Sequence, residues 1–214
     1  SIKENLVLDK TCNQVNVQQQ MGPFRMAVPM DYPFLPILKK FNQSEVTVSG
    51  LESISLIFTS EIQSDSVYSD NLVDFTPLLY TSDRSATMSE FYNLNPDPKN
   101  NPIFNQLTET SKVVGARTIV ADKETGIESN LTLVGDSQLF SDQGGGGSHN
   151  NIIFVMNTID YMLGDSELIA LRSREVLDRP LIGDAEGVSN QTRLTWKIIN
   201  MLLPTLLIIA LGIF

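Results

Sequence analysis

Cysteine and histidine are nearly absent from the chain, whose 214 residues include one of each, Cys12 and His149. A single cysteine excludes an internal disulfide, and the common zinc sites need several Cys and His ligands. We therefore predict neither a metal centre nor a cofactor. A nucleophilic Cys12–His149 pair would also need an orienting acid and an oxyanion hole, and neither flanking sequence indicates them. No catalytic residue is assigned, and the chain is predicted not to be an enzyme.

Basic residues are also scarce. The chain has 25 acidic and 15 basic residues, which gives a formal net charge of −10. Nucleic-acid binding depends on a basic surface that neutralises the phosphates. The composition therefore predicts no nucleic-acid partner. The acidic residues are scattered along the chain, which is typical of a solvated surface.

Long apolar runs are missing until the C-terminal end of the chain. Residues 196–214 read WKIINMLLPTLLIIALGIF and include one charged residue, Lys197. As a helix at 1.5 Å per residue, this run would extend about 28 Å, close to the roughly 30 Å apolar core of a bilayer. We therefore predict a transmembrane helix over residues 195–214, in which the lipid bilayer surrounds Trp196, Leu203, Pro204, Leu207 and Phe214.

The two chain ends suggest that the natural chain is longer. The chain begins at Ser1 rather than at Met, and it ends at Phe214 without the Lys/Arg cluster that a single-span protein places on its cytoplasmic side. We expect residues 1–179 to form a soluble domain outside the cytoplasm. A Gly/Asp/Ser/Asn-rich tether at residues 180–194 is expected to join this domain to the membrane-spanning helix.

Short apolar stretches separated by turns predict a series of β-strands. These strands are expected near residues 5–9, 24–29, 44–50, 53–60, 75–82, 113–121 and 130–134. Residues 150–163 have a wide apolar face and precede Gly164, which predicts a helix and its C-terminal stop. Residues 167–172 (ELIALR) are expected to form the next strand. This strand–loop–helix–strand unit predicts an α/β fold with an open mixed sheet.

Two aspartates are candidates for a ligand site. Asp136 and Ser137 follow Gly135 at the carboxyl end of an apolar strand, where open α/β sheets bind their ligands. Asp9 also ends an apolar strand. We therefore predict that Asp9, Asp136 and Ser137 line one ligand-binding crevice. The alternative is that each aspartate caps the turn that follows it.

Three arginines follow the predicted last strand. Arg172, Arg174 and Arg179 lie in LRSREVLDRPL, shortly before the predicted membrane-spanning helix. They are candidates for contact with an acidic partner or with lipid headgroups. The alternative is an exposed strand end, where the neighbouring Glu175 and Asp178 neutralise them.

Several segments resemble the GldG-like family, the auxiliary membrane proteins of bacterial ABC transporters that were first linked to gliding motility. The resemblance is carried by LVGDSQLFSDQ at residues 133–143 and NNIIFVMNTIDYMLGDSELIALRSREVLDRPL at residues 150–181. The polar tether and the Leu-rich run follow, as in the C-terminal half of that family. NLVLD, GLESISLIFTS and TPLLYTSDRS also resemble segments of the family in the same order.

The resemblance implies part of a Rossmann-like domain, related to class I glutamine amidotransferases, on the periplasmic side of the bacterial inner membrane. Its implied partners are a multi-span ABC permease, a cytoplasmic ATPase and envelope proteins. The expected function is to bind a substrate or an envelope partner and to couple it to the permease and ATPase. Two alternatives stay open: a structural scaffold of a motility or secretion machine, and an amidotransferase-like envelope hydrolase that uses Cys12 or Asp136.

Overall fold

The structure is a computed structural model that describes residues 1–21, 24–64, 72–122, 124–141, 148–175 and 195–202. The chain divides into two compact units, Ser1–Val176 and Leu177–Phe214. The described residues of the first unit form nine strands and two α-helices. The strands are β1 (Leu6–Asp9), β2 (Cys12–Met21), β3 (Phe24–Leu38), β4 (Lys40–Phe41), β5 (Ile54–Ser55), β6 (Leu72–Tyr80), β7 (Ser85–Met88), β8 (Val113–Ala121) and β9 (Glu128–Val134). The helices are α1 (His149–Met162) and α2 (Ser166–Glu175).

The strands form three antiparallel sheets. β1 pairs with β7, β3 lies between β2 and β5, and the largest sheet has the order β4-β6-β8-β9. Every strand pair in the described residues is antiparallel. Strand accounts for 39% of the residues and helix for 22%. The prediction of an open mixed α/β sheet of the Rossmann or glutamine amidotransferase kind is therefore wrong.

The missing element is the strand predicted at residues 167–172, which lies within the helix α2. Short apolar runs of this length do not distinguish a strand from a buried helix segment. In α2, Ile169 is buried and Arg172 lies one turn later on the same side, while Leu168 and Leu171 are exposed. Within the described residues no strand follows α1 and no crossover joins two parallel strands, so the sheets there are built from antiparallel neighbours.

Other predicted elements are confirmed. Strands occur within residues 5–9, 75–82, 113–121 and 130–134, and the helix predicted at residues 150–163 is α1. Gly164 has φ 81° and ends α1. The Gly164 N–H donates to the Tyr161 carbonyl at 3.1 Å and the Asp165 N–H donates to the Asp160 carbonyl at 2.9 Å. This pair of bonds is a Schellman motif, which satisfies the last carbonyls of the helix.

Strand β1 separates the two hydrophobic cores. Successive side chains of a strand point to opposite faces, and both Val7 and Leu8 are fully buried. Val7 belongs to the larger core, together with Leu78 and Leu79 of β6 and Phe154 of α1. Leu8 belongs to the smaller core, which also contains Tyr32, Phe34, Ala86, Met88 and Leu107. A short 3-10 turn at Val46–Val48, where a strand was predicted, contributes Val48 to the larger core.

The second unit is described only over residues 195–202, which are helical. In the part of the chain that the structure describes, no helix is both long and apolar enough to span a membrane. This finding corrects the prediction of a transmembrane helix at residues 195–214. Of the residues assigned to it, Trp196 lies in the described helix. The predicted tether at residues 180–194 lies outside the described residues, as do Leu203, Pro204, Leu207 and Phe214.

Candidate functional site

Asp9 is fully buried at the end of β1 and is hydrogen-bonded on both carboxylate oxygens. Its Oδ1 accepts hydrogen bonds from the Thr11 N–H and the Ser82 hydroxyl, each at 2.7 Å. Its Oδ2 accepts a hydrogen bond from the Ser82 N–H at 2.5 Å. The carboxylate therefore ties the end of β1 to the segment that leads into β7. This is the geometry of the turn-capping alternative.

Asp136 has a comparable position after β9, and it is 5% exposed. Its Oδ2 accepts a hydrogen bond from the Ile57 N–H and its Oδ1 accepts one from the Gln138 N–H, both at 2.7 Å. Burial raises the pKa of the Asp136 carboxyl, and these two N–H donors oppose that rise. Ser137 is exposed beside it.

The two aspartates hold separate segments and share no hydrogen-bond partner among the described residues. Asp9 binds the backbone near Ser82, and Asp136 binds the backbone at Ile57. A common ligand crevice formed by Asp9, Asp136 and Ser137 therefore stays a prediction. These hydrogen bonds give each carboxylate a role in fixing the local backbone.

Gly135 brings the backbone before Asp136 unusually close to a neighbouring loop. The Gly135 carbonyl accepts a hydrogen bond from the Ser60 N–H at 2.8 Å. A Cβ atom at Gly135 would lie 2.0 Å from the Ser60 carbonyl oxygen. Only glycine allows such an approach. Gly135 and Asp136 therefore hold the loop of residues 56–60 at two points, Ser60 and Ile57.

The Arg172 guanidinium bonds to α1, and its predicted contact with an acidic partner or with lipid headgroups stays a prediction. The guanidinium donates to the Asn157 side-chain oxygen at 2.6 Å and to the Asp160 carboxylate at 2.7 Å. Asn157 in turn donates to the Thr47 carbonyl at 3.2 Å. These bonds fasten α2 to α1 and α1 to the 3-10 turn. Of the other predicted contact residues, Arg174 lies in α2 and Arg179 lies outside the described residues.

Polar side chains also hold the inward side of α1. The Asn151 side-chain amide accepts from the Ser55 N–H at 3.0 Å and donates to the Ser55 carbonyl at 2.8 Å, so that it pairs with β5 as a strand would. Tyr161 lies over the Arg117 guanidinium, 5.1 Å from the ring centroid, and Arg117 forms an ion pair with Glu45 at 3.1 Å. The sequence interpretation missed Asn151, although an asparagine within an apolar helix face was a visible sign.

The outward side of α1 carries large apolar side chains. Ile152, Met156, Ile159 and Leu163 are between 43% and 77% exposed. Their spacings of four, three and four residues place them in one stripe along the helix. Single exposed apolar residues are common, but a contiguous stripe marks an interaction surface.

An apolar groove of about 560 Å³ runs beside this stripe, between α1 and β9. Its lining residues include Leu133, Val134, Phe140, Phe154, Val155, Ile159 and Met162. Phe140 is exposed at the rim, and Phe154 reaches down into the larger core. The one ionisable residue in the lining is Asp136, whose carboxylate is already hydrogen-bonded. We name the stripe and the groove together the α1 surface.

The environment of the Cys12 thiol disfavours the reactive thiolate form. Burial and the nearby Asp31 carboxylate raise the pKa of Cys12 to about 11. A cysteine nucleophile acts as the thiolate, which needs a lowered pKa. The thiol is therefore protonated at neutral pH. In the described residues there is also no group of three His, Cys, Asp or Glu residues placed to hold a metal ion.

The fold and the α1 surface define an antiparallel β domain that displays an apolar face of α1. Residues 1–164 match a family described as "ABC-type uncharacterized transport system". The chain belongs to this family, and it is an auxiliary component of an ABC-type transport system. No curated protein and no solved structure is significantly similar to the chain. The match does not single out GldG-like proteins, so that finer resemblance stays a prediction.

Proposed function

We propose that this domain is a docking subunit of an ABC-type transporter, and that its α1 surface receives one amphipathic helix of another transporter subunit. The observation that carries the proposal is the exposed apolar stripe of α1 beside the groove. Membership of an ABC transport family supports the choice of partner, because an auxiliary component associates with other components of its system.

The size of the α1 surface favours a helix as its occupant. The 14 residues of α1 extend about 21 Å, and a face about 10 Å wide gives a footprint of roughly 200 Å². A typical interface of two globular proteins buries about 800 Å² on each side. The helix face alone is too small for that, but together with the groove beside it this face fits a single helix whose side chains at positions i, i+3/i+4 and i+7 enter the groove.

The charge of the α1 surface restricts the chemistry of that helix. The chain has a net charge of −10, but the stripe contains no ionisable residue and Asp136 is buried in the groove. A charged side chain placed against this surface would lose its hydration and find no counter-ion. The docked face of the partner helix is therefore uncharged, with aliphatic or aromatic residues at its contact positions.

The placement of the complex follows the GldG-like resemblance. Residues 133–143 and 150–181, which carry it, include the end of β9, α1 and α2. We place the domain on the periplasmic side of the bacterial inner membrane, beside a multi-span permease whose ATPase is cytoplasmic. Lipid headgroups or envelope proteins are further contacts in this proposal, with Arg174 and Arg179 as the residues assigned to them.

Purification of the full-length protein from its native membrane in mild detergent, followed by mass spectrometry, tests this function. The wild-type protein is expected to bring a polytopic permease and an ATPase with it. The double variant Met156→Lys/Ile159→Lys is expected to lose both, because two ammonium groups would be buried in the interface. Ile127→Lys is the matched control, since Ile127 is 64% exposed and lies outside the α1 surface.

Two outcomes would contradict the proposal. Recovery of permease and ATPase with the double variant at the wild-type level would show that another surface binds them. Recovery of envelope or motor proteins alone, with the wild-type protein, would favour the scaffold alternative. A thermal melt of each purified variant verifies that the lysines have not unfolded the domain.

A further inference from the structure

A cavity of about 420 Å³ lies among three parts of the domain and shares no lining residue with the groove of the α1 surface. Its walls come from the start of β2 and the turn before it, from β3 and from residues 98–107. Small-molecule sites typically measure about 300–1,000 Å³, whereas voids in a packed core are rarely larger than a water molecule. The described residues therefore form a pocket that is large enough for a small ligand.

The third wall belongs to an unusually long connection. It joins β7 to β8 over residues 89–112, and its helical structure is limited to the 3-10 turn Pro102–Asn105. Its own side chains fix its conformation. Asn101 is buried, and its side-chain amide donates to the carbonyls of Asn93 and Asn95 at 2.7 and 3.2 Å. Connections of this length in compact domains are usually either disordered or functional, so the internal bonds of this one favour a functional role.

Rigid apolar side chains make up much of the lining. Pro29 and Pro33 lie on one face of β3, because side chains four residues apart in a strand point the same way. The long connection contributes Phe104, whose ring packs against the rings of Tyr32 and Phe34 with centroids 6.2 and 5.7 Å away. Proline rings and packed aromatic rings have little conformational freedom to lose when a ligand binds. The pocket therefore presents a preformed apolar wall.

Two opposite charges line the same pocket. The Lys10 Nζ lies 4.0 Å from the Asp31 Oδ2, which is longer than a hydrogen bond, and both side chains are about half exposed. The other Asp31 oxygen accepts from the Gln14 side-chain amide at 2.9 Å, which orients the carboxylate. An exposed ion pair contributes little to stability, so a ligand can come between the two groups at little cost. A ligand with one group of each sign would leave neither charge beside a like charge.

We infer that this pocket binds a free α-amino acid with an aromatic or large aliphatic side chain. The ligand carboxylate accepts from the Lys10 ammonium, and the ligand ammonium donates to the Asp31 carboxylate. In an α-amino acid these two groups are three bonds apart, roughly 3 Å, which matches a site whose own charges lie 4.0 Å apart. In a dipeptide they are three bonds further apart and extend beyond the pair. This inference is independent of the proposed docking function.

Equilibrium dialysis of the full-length chain with L-phenylalanine tests the inference. Two analogues each lack one charged group: 2-phenylethylamine has no carboxylate, and 3-phenylpropanoate has no ammonium. We expect saturable binding of L-phenylalanine and a dissociation constant about tenfold higher for each analogue, because each leaves one charge of the pocket without its partner. L-Alanine keeps both charges and is also expected to bind about tenfold more weakly, because it buries no large side chain.

Two substitutions assign each ligand group to its partner. Lys10→Met is expected to raise the dissociation constant of L-phenylalanine about tenfold and to abolish its advantage over 2-phenylethylamine. Asp31→Asn is expected to raise it similarly and to abolish the advantage over 3-phenylpropanoate. Lys40→Met is the matched control, since it removes the lysine of another exposed ion pair, with Asp83, that lies outside the pocket. A thermal melt verifies that each variant is folded.

The thiol of Cys12 reports where the ligand binds, because this single cysteine of the chain lies in the lining. Burial raises its pKa to about 11, the Asp31 carboxylate adds to the rise and the Lys10 ammonium opposes it, so the thiol lies near both charges. L-Phenylalanine at about ten times its dissociation constant is expected to slow the alkylation of Cys12 by N-ethylmaleimide roughly tenfold. Intact mass spectrometry measures the rate.

Three results would overturn the inference. They are the absence of saturable L-phenylalanine binding, equal binding of L-phenylalanine and its two analogues, and binding that leaves the alkylation rate of Cys12 unchanged. The first is also the result expected if another part of the chain fills the pocket. The comparison of the three compounds uses the wild-type protein, so it does not depend on the folding of any variant.

Discussion

At the scale of single residues, the most demanding position is Gly135, whose hydrogen atom occupies the place where any other residue has a Cβ. That Cβ would lie 2.0 Å from the Ser60 carbonyl oxygen, which is backbone and cannot rotate away. Asp136 then fixes the same loop by accepting from the Ile57 N–H. The loop in turn holds Phe58 at φ 51°, a left-handed conformation that is rare for an aromatic residue.

Gly135→Ala is therefore expected to destabilise the domain by about 3 kcal/mol, the upper part of the range for overpacking. Urea unfolding followed by circular dichroism measures the change. Gly126→Ala is the control, because Gly126 has φ 70° and no atom near its missing Cβ. The free energy of unfolding of this control variant is expected to fall by about 1 kcal/mol, because alanine is disfavoured in a left-handed backbone conformation. Equal losses in the two variants would show that the close contact at Gly135 is not present.

Asp136 gives a prediction about pH. Since burial raises its pKa above the value in the unfolded chain, the folded protein binds this proton more tightly than the unfolded protein does. Its contribution to the free energy of unfolding is greatest below the unfolded pKa and is lost as pH rises through the folded pKa. The side chain of the Asp136→Asn variant cannot titrate. The free energy of unfolding of the wild type, minus that of the variant, should therefore fall as pH rises from about 3 to 7. A difference that grows over that range would contradict the assigned direction.

At the scale of elements, two described side chains of α2 contact the rest of the domain. Its contribution to the buried core is Ile169, and Arg172 supplies the bonds to Asn157 and Asp160. Removal of the Arg172 guanidinium would leave Asn157 and Asp160 desolvated without these hydrogen bonds. The resulting loss in the free energy of unfolding is larger than the contribution of a surface ion pair. The Arg172 side chain is therefore expected to contribute strongly to the attachment of α2 to α1.

Arg172→Met is expected to lower the free energy of unfolding by about 2 kcal/mol. Amide hydrogen exchange should show the loss of protection concentrated in α2. Lys40→Met is the control, because the Lys40–Asp83 pair is exposed and should contribute less than about 0.5 kcal/mol. Unchanged exchange in α2 of the arginine variant would mean that Ile169 and the backbone hold the helix without this network.

Elements with a strong local pattern could be predicted from the sequence. β8 is a mostly apolar stretch rich in valine, and α1 combines a wide apolar face with a glycine stop, so their positions were predicted within a residue or so. The six residues ELIALR, in contrast, fit a strand or a helix equally well. The open mixed α/β sheet was inferred from a strand–loop–helix–strand unit that ends in this segment, and it is wrong because the segment is helical. β2 was missed as a strand because Gln and Asn are not typical of strands, and its pairing with β3 fixes its structure.

At the scale of the whole molecule, the candidate site could not be predicted because the sequence does not say which apolar residues of α1 face the sheets. Phe154 is buried in the core, whereas Met156 and Ile159 are exposed, and all three belong to the same apolar pattern. The aspartates were visible in the sequence, but their hydrogen bonds are to backbone groups that only the fold brings near. The family match then supplies the system in which the α1 surface works.

Photo-crosslinking in native cells is the most direct test of the claim that the α1 surface docks a transporter helix. A benzophenone amino acid replaces Met156 in one full-length variant and Ile127 in another, and mass spectrometry identifies the products after irradiation. We expect a crosslink from position 156 to an uncharged helix face of an ABC transporter subunit, and no such product from position 127. The same products from both positions, or products from position 156 that contain no transporter subunit, would contradict the claim.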